Sequence, residues 1–293
     1  MDAPPSKAKI FLSRLGSALF LYGMLLVGLF AHNEKVAHAA FGSIMLLFAA
    51  LALFELFQMA RKCGLACFQR FGITAGTVLV GGVFWALSIE KQPDLASQIE
   101  FGIIILLIPC LGISQLLRAR EKLESSAMAV TLFGILYVGV MLNLMQKIRF
   151  GPETGAWWLL FFIVVSKMSD TGAYCVGSLV GRHKMMPRVS PGKTWEGFAG
   201  ALVFSMCAAV VFSHFGADHF KPMSLFAAAT LGLALGLGSV AGDLVESLFK
   251  REAGVKDSGN YFPGIGGFLD LLDSLLFNAP LMYLYLRYGL DVL

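Results

Sequence analysis

Residues 127–146 read AMAVTLFGILYVGVMLNLMQ, twenty consecutive residues without a charge. A helix rises 1.5 Å per residue, so this stretch is ~30 Å long, about the thickness of the hydrocarbon core of a bilayer. Working outward from it, comparable stretches recur near 13–31, 37–60, 71–89, 99–117, 156–180, 195–216, 223–247 and 268–289. Lipid offers a backbone no hydrogen-bond partners, so each stretch must satisfy its own N–H and C=O groups as a helix. The expected fold is all-α, a polytopic transmembrane helix bundle of about nine spans. Composition points the same way. Of the 293 residues 57% are hydrophobic and only 14% are charged, against roughly 25% charged in a soluble domain. Mean hydropathy is +0.73, and the 25 Phe suit lipid-facing helix surfaces. A water-soluble globular protein is excluded.

The placement of charge supports the alternation of sides. Lys7, Lys9, Arg14; Arg61, Lys62, Arg70; Arg118, Arg120, Lys122; Arg182, Lys184, Arg188, Lys193; and Lys250, Arg251, Lys256 fall on one side. Lys35, Lys91, Lys147, Arg149, Lys221 and Arg287 fall on the other, and Lys167 lies inside a span. Basic residues concentrate on the cytoplasmic side of membrane proteins, so the N-terminus is expected in the cytoplasm. The polar stretch from His32 to Lys35 fits poorly with a short signal-peptide core and immediate cleavage, so a retained first helix is expected. The five cysteines are scattered, and the Cys63/Cys67 pair has no second pair to complete a zinc pattern. They read as small apolar residues or free thiols.

Charges at membrane depth are costly, ~2.5–3.5 kcal/mol each on the insertion scale, and the first five spans largely avoid them. Glu55 is the main exception, and two readings stand for it: a group that serves a site and, favoured by its position near Arg61 at a helix end, a structural ion pair. The last third differs. Lys167 and Asp170 stand three apart in the sixth span and share a helical face. Asp243, Glu246 and Lys250 share a face of the eighth span, and Asp270 and Asp273 open the ninth. All approach the cytoplasmic side, where two polar loops also run, over 181–196 and 250–267. Residues 151–293 are therefore expected to form a catalytic region, with 1–150 as scaffold and as lipid-facing or dimer-forming surface.

Carboxylates converging with lysine and arginine suit a hard divalent cation that keeps positions open for substrate phosphates, with the cations neutralising the remaining phosphate charge. Gly264, Gly266 and Gly267 precede a helix start and would let backbone amides approach a phosphate. The expected chemistry is nucleotide or pyrophosphate handling at the membrane surface. Histidine chemistry is not favoured: His32, His38, His214 and His219 fall on or near the outer side, and only His183 is well placed. Basic residues spread over five loops follow topology and suggest no nucleic-acid partner. The spacings Gly232–Gly236 and Gly238–Gly242 read as simple close packing.

Several runs then become recognisable. Ser169-Asp170-Thr171-Gly172-Ala173-Tyr174, Ser190-Pro191-Gly192-Lys193-Thr194-Trp195-Glu196-Gly197, Gly242-Asp243-Leu244-Val245-Glu246, Ser247-Leu248-Phe249-Lys250-Arg251, Lys256-Asp257-Ser258-Gly259, Phe262-Pro263-Gly264, Gly266-Gly267-Phe268-Leu269-Asp270 and Asp273-Ser274 together closely resemble the signature blocks of phosphatidate cytidylyltransferases, or CDP-diacylglycerol synthases. The resemblance covers residues 169–274; the first 150 residues match only as hydrophobic spans. Two positions depart from the family pattern: Ile265 stands where histidine is usual, and Leu271 where arginine is usual. Neither removes a carboxylate.

The resemblance implies an enzyme of phospholipid biosynthesis that moves CMP from CTP to phosphatidic acid with Mg²⁺ as cofactor. It implies Asp243 and Asp270 as metal ligands, with Asp273 or Glu246 as a further ligand or directly behind one. It implies Lys193, Lys250, Arg251 and Lys256 on the phosphates of CTP and lipid, with Lys250 and Lys256 closest to the chemistry. Asp170 and Lys167 would shape the cavity or help place a second cation, monovalent or divalent, and Ser190, Gly266 and Gly267 would line the substrate. Expected partners are CTP, phosphatidic acid and membrane lipids, with a homodimer left open. The expected location is a bacterial inner membrane, with the site facing the cytoplasm. Two alternatives remain at this point, a CTP-dependent kinase of a lipid alcohol and a carrier whose buried charges move with substrate.

Overall fold

The computed structural model describes residues 16, 22–118, 125–221, 223–259 and 266–293. The protein is an all-α polytopic membrane protein. Seven of its described helices are long and apolar enough to cross a bilayer: α1 (Glu34–Lys62), α2 (Gln69–Ser88), α3 (Pro93–Arg118), α4 (Ser126–Phe150), α5 (Gly155–Val180), α6 (Trp195–Phe215) and α7 (Leu225–Glu252). They correspond to the second to eighth expected spans. Of the first expected span, residues 13–15 and 17–21 lie outside the described residues, as do Lys7 and Lys9, and 22–30 are helical. The ninth is α8 (Phe268–Leu284), which continues into a π-helical turn over Tyr285–Gly289. A second π-helical turn, Ile135–Val140, interrupts α4. The chain divides into two compact units. Unit one comprises Met1–Ser88, Asp94–Val140 and Glu252–Leu271; unit two comprises Ile89–Pro93, Met141–Arg251 and Leu272–Leu293.

In unit one, α1 begins at Asn33, whose side chain accepts the Lys35 N–H at 3.0 Å. It ends at Gly64, with φ +78°, a backbone that glycine adopts without a Cβ penalty. Gly64 N–H reaches Arg61 O and Leu65 N–H reaches Ala60 O, both at 3.0 Å, which satisfies carbonyls the last turn would leave orphaned. Large side chains of α1 fill notches left by glycines on its neighbours. A Cβ on Gly72 or Gly134 would collide with the Phe57 ring, and Phe57 is fully buried. Thr131, on α4, accepts the Phe68 N–H at 2.9 Å and so holds the start of α2.

Unit two is built on close contact between α5 and α6. A Cβ on Gly172 would lie 2.6 Å from Gly200 O, and one on Gly197 would lie 2.9 Å from Ala173 O. Without side chains between them the two backbones meet. Trp158, Phe161, Phe212 and Phe220 pack edge-on or tilted at one end of this pair. The polar loop expected over 181–196 contains a short antiparallel hairpin, β1 (Lys184–Met186) with β2 (Ser190–Thr194), pairing Lys184 with Thr194 and Met186 with Ser190. Thr194 ends β2 and also caps α6, accepting the Gly197 N–H at 3.1 Å.

Candidate active site

Three carboxylates in unit two, from Asp243, Glu246 and Asp273, each bring an oxygen within 4.8 Å of the others. Asp243 and Glu246 lie three apart on α7, on one face; Asp273 comes from α8. Glycine brings these helices together. A Cβ on Gly242 would sit 2.7 Å from Asp273 O and 2.8 Å from Phe277 Cβ, so only a residue without a side chain allows the approach. Gly236 likewise abuts Ser205, and Gly232 abuts Ala209 and Met206, on α6. The glycine spacings in α7 thus serve packing, as expected.

Below the carboxylates a buried amide joins three helices. Asn278, fully buried, donates to Leu235 O and Ser239 Oγ at 2.8 Å and to Ser166 Oγ at 3.1 Å. Ser239 Oγ in turn donates to Ser166 O at 3.4 Å. A buried polar network of this kind holds its members in one arrangement. Sequence reasoning does not find it, because isolated Ser and Asn in apolar helices carry no distinguishing pattern.

Each carboxylate of the group faces a lysine. Lys193 Nζ is 2.8 Å from Asp243 Oδ2, Lys250 Nζ is 2.5 Å from Glu246 Oε2, and Lys167 Nζ is 3.9 Å from Asp273 Oδ1. Lys167 also pairs with Asp170 at 3.4 Å, in keeping with their spacing on one face, and donates to Ser274 Oγ at 3.0 Å. Lys193, from β2, donates a further bond to Val240 O at 3.1 Å, and Ser247 Oγ donates to Asp243 Oδ1 at 3.3 Å. Glu246 is fully buried, while Asp243 and Lys193 remain partly exposed. Unpaired charges could not be kept at this depth; four carboxylates against three ammonium groups leave a net negative site. Three carboxylates within reach of one point are the hard oxygen donors a divalent cation takes.

The other expected residues of unit two are Ser190 and Arg251. Ser190 opens β2 and is half-buried. Arg251 Nε donates to Val189 O at 3.0 Å, tying the end of α7 to the hairpin. Glu196 braces the same hairpin, accepting the Arg182 N–H at 3.1 Å and facing His183 Nδ1 at 2.5 Å. His183 therefore has a bracing role available that needs no catalysis.

Lys256, Gly266, Gly267 and Asp270 belong to unit one. Lys256 is exposed. Asp270 Oδ2 accepts the Gly267 N–H at 2.8 Å and the Ser258 N–H at 3.0 Å. Gly266 has φ +99°, a backbone reserved in practice for glycine. Gly264 and Ile265 lie outside the described residues.

Glu55 does not pair with Arg61 as expected. Arg61 donates to Gln69 Oε1 at 3.0 Å instead. The Glu55 carboxylate, 1% exposed, accepts the Phe268 N–H at 3.0 Å, the Leu269 N–H at 2.8 Å and the Ser258 hydroxyl at 2.8 Å. Backbone partners so distant along the chain cannot be read from sequence, whereas Arg61 stands less than two turns along the same helix. The five cysteines are free, and burial, with Glu252 nearby, pushes the Cys63 thiol up, away from the reactive thiolate.

A sequence profile described as the Cytidylyltransferase family matches residues 12–289. The phosphatidate cytidylyltransferase of Haemophilus influenzae is 32% identical over 91% of this chain and 95% of its own length. That of Staphylococcus haemolyticus is 33% identical over 71% of this chain and 80% of its own. The protein YnbB of Escherichia coli is 40% identical over 46% of this chain, an alignment that spans 44% of its own length.

Proposed function

The chain belongs to the cytidylyltransferase family, and from that premise we propose that it transfers CMP from CTP to phosphatidic acid. A phosphate oxygen of the lipid attacks the α-phosphorus of CTP, and the bond from that phosphorus to the bridging oxygen breaks. CDP-diacylglycerol forms and pyrophosphate leaves. The observation that carries the reading is the group of three carboxylates, each held by a lysine.

Asp243, Glu246 and Asp273 would hold the cation, read as Mg²⁺. When bound, such an ion polarises phosphoryl oxygens and neutralises charge developing on the attacking and leaving groups. The lysines have the complementary task. Lys193, Lys250 and Lys167 each rest against a carboxylate of the set that would hold the cation, and their ammonium groups would meet the negative charge of the CTP phosphates and the lipid headgroup. The resemblance places Arg251 and Lys256 on the substrate phosphates as well. The resemblance gives Asp270 the same role as Asp243. Asp170 holds Lys167 in place and is the residue to which a second cation would turn. The nucleophile is already an anionic phosphate, so no strong general base is needed, and the reaction reduces to positioning and charge neutralisation. That accounts for a site without a central histidine.

The distribution of basic residues supports a site on the cytoplasmic side of a bacterial inner membrane, where CTP is available and the lipid tails need not leave the leaflet. The test uses purified protein with Mg²⁺, phosphatidic acid or a lipid alcohol, and CTP labelled at the α- or the γ-phosphate. Label from the α-position in phosphatidic acid is expected. Label from the γ-position in the alcohol would replace this reading with a CTP-dependent lipid kinase, and no lipid label at all would leave a carrier.

A further inference from the structure

Glu55 lies about two turns from the end of α1 that carries Lys62, yet its carboxylate makes no use of α1 or of the basic residues there. Both of its oxygens are turned to one segment of unit one. Oε1 accepts from the Phe268 N–H, and Oε2 accepts from the Leu269 N–H and the Ser258 hydroxyl. Phe268 and Leu269 are the first two residues of α8, whose N–H groups have no carbonyl one turn earlier to bond with. A capping side chain normally comes from the residue just before the helix. Here the cap comes from another membrane-spanning helix, as a full negative charge at the positive end of the α8 dipole.

Asp270 takes the N–H groups of Ser258 and Gly267. Ser258 is thus held twice, by its backbone to Asp270 and by its hydroxyl to Glu55. Gly267 completes the fit: a Cβ there would lie 2.5 Å and 2.6 Å from the two Glu55 oxygens. The five hydrogen bonds fix Ser258, Gly267 and the first two residues of α8.

We propose that Glu55 is a positioning residue for the reaction, a cap supplied by α1 that holds Ser258 and the start of α8 and thereby Asp270. The proposal deepens the proposed function and rests on that reading. Glu55 itself touches no substrate. Its effect passes through Asp270, which shares Ser258 with it and stands in the helical turn it caps. Displacements of an ångström in a positioned group lower turnover by orders of magnitude, so a remote cap can act on rate without touching the chemistry.

The experiment compares full-length wild-type protein with Glu55→Ala and Glu55→Gln in nanodiscs, by hydrogen exchange and by CMP transfer from CTP to phosphatidic acid. In Glu55→Ala, exchange across 266–270 should rise by more than about tenfold, since two amides lose a charged acceptor. Exchange in α5 and α6 should be unchanged. Turnover should fall by more than about tenfold as well. Glu55→Gln keeps an acceptor for one of the two amides and should stand between wild type and Ala in both measurements, a graded rescue that lost bulk alone would not produce. Should Glu55→Ala fail to insert, Glu55→Gln and Ser258→Ala carry the same comparison. Unchanged exchange over 266–270, or raised exchange with wild-type turnover, overturns the proposal. Wild-type protein that moves no CMP to phosphatidic acid overturns the functional reading alone, because exchange still decides whether Glu55 holds the segment.

Discussion

Two regions of this molecule gather carboxylates on apolar helices, and they neutralise them in opposite ways. In unit two Asp243, Glu246 and Asp273 are answered by the side chains of Lys193, Lys250 and Lys167. In unit one Glu55 and Asp270 are answered largely by backbone N–H groups and a serine hydroxyl. A lysine is a flexible point charge that gives up its partner when a better cation arrives. An amide at a helix start cannot move without unwinding the turn it belongs to. The first arrangement is suited to exchange of ions and the second to holding backbone in place, although both look alike as acidic residues in apolar sequence.

The largest effect should come from the exchangeable group. Asp243→Asn and Asp273→Asn should each lower CMP transfer by about a hundredfold or more while leaving insertion and the exchange of 266–270 intact. Near-normal turnover in either would remove that residue from the metal-holding set. Asp270→Asn sharpens the contrast, since the proposed function gives Asp270 a metal-holding role beside its backbone contacts. An Asn side-chain oxygen still accepts backbone N–H groups, so protection of the Ser258 and Gly267 amides should persist while turnover falls as far as in Asp243→Asn. A variant that keeps its turnover would confine Asp270 to the structural role.

Gly267→Ala probes the fixed region without removing any charge. Its Cβ enters the space of the Glu55 carboxylate, and overpacking of this sort costs about 1–3 kcal/mol. A lower unfolding temperature and faster exchange at 266–270 are expected, and unchanged behaviour would show that the segment has room to shift. The smallest effect is expected from Lys193→Gln. It removes one phosphate-neutralising charge and should raise the KM for CTP roughly tenfold with a lesser change in kcat; the reverse pattern would make Lys193 part of the chemistry itself.

Much of the candidate site in unit two is legible in the sequence. Asp243 and Glu246 share a helical face by spacing, Lys167 and Asp170 do the same, and membrane-depth charges are too costly to be casual. What spacing does not show is which lysine meets which carboxylate, because Lys193 approaches from a hairpin that reads only as a polar loop. Glu55 reads wrongly in the sequence for a related reason. The cost that marks the later carboxylates applies to it equally, but Arg61 offers a local explanation, whereas its partners stand at Ser258, Phe268 and Leu269. The serines and Asn278 beneath the cluster escape notice because single polar residues in apolar helices carry no periodic signal.

Sequence alone determined that this chain lives in a bilayer as helices, because twenty apolar residues in lipid have no other way to satisfy their backbone. It also determined the family, through motif blocks whose order and spacing are local properties of the chain. Only the tertiary structure decided how each buried charge is neutralised. Partnership between residues on different helices depends on how closely backbones approach, and that is set by glycines such as Gly242 and Gly267, whose contribution is the absence of a side chain at one point of contact.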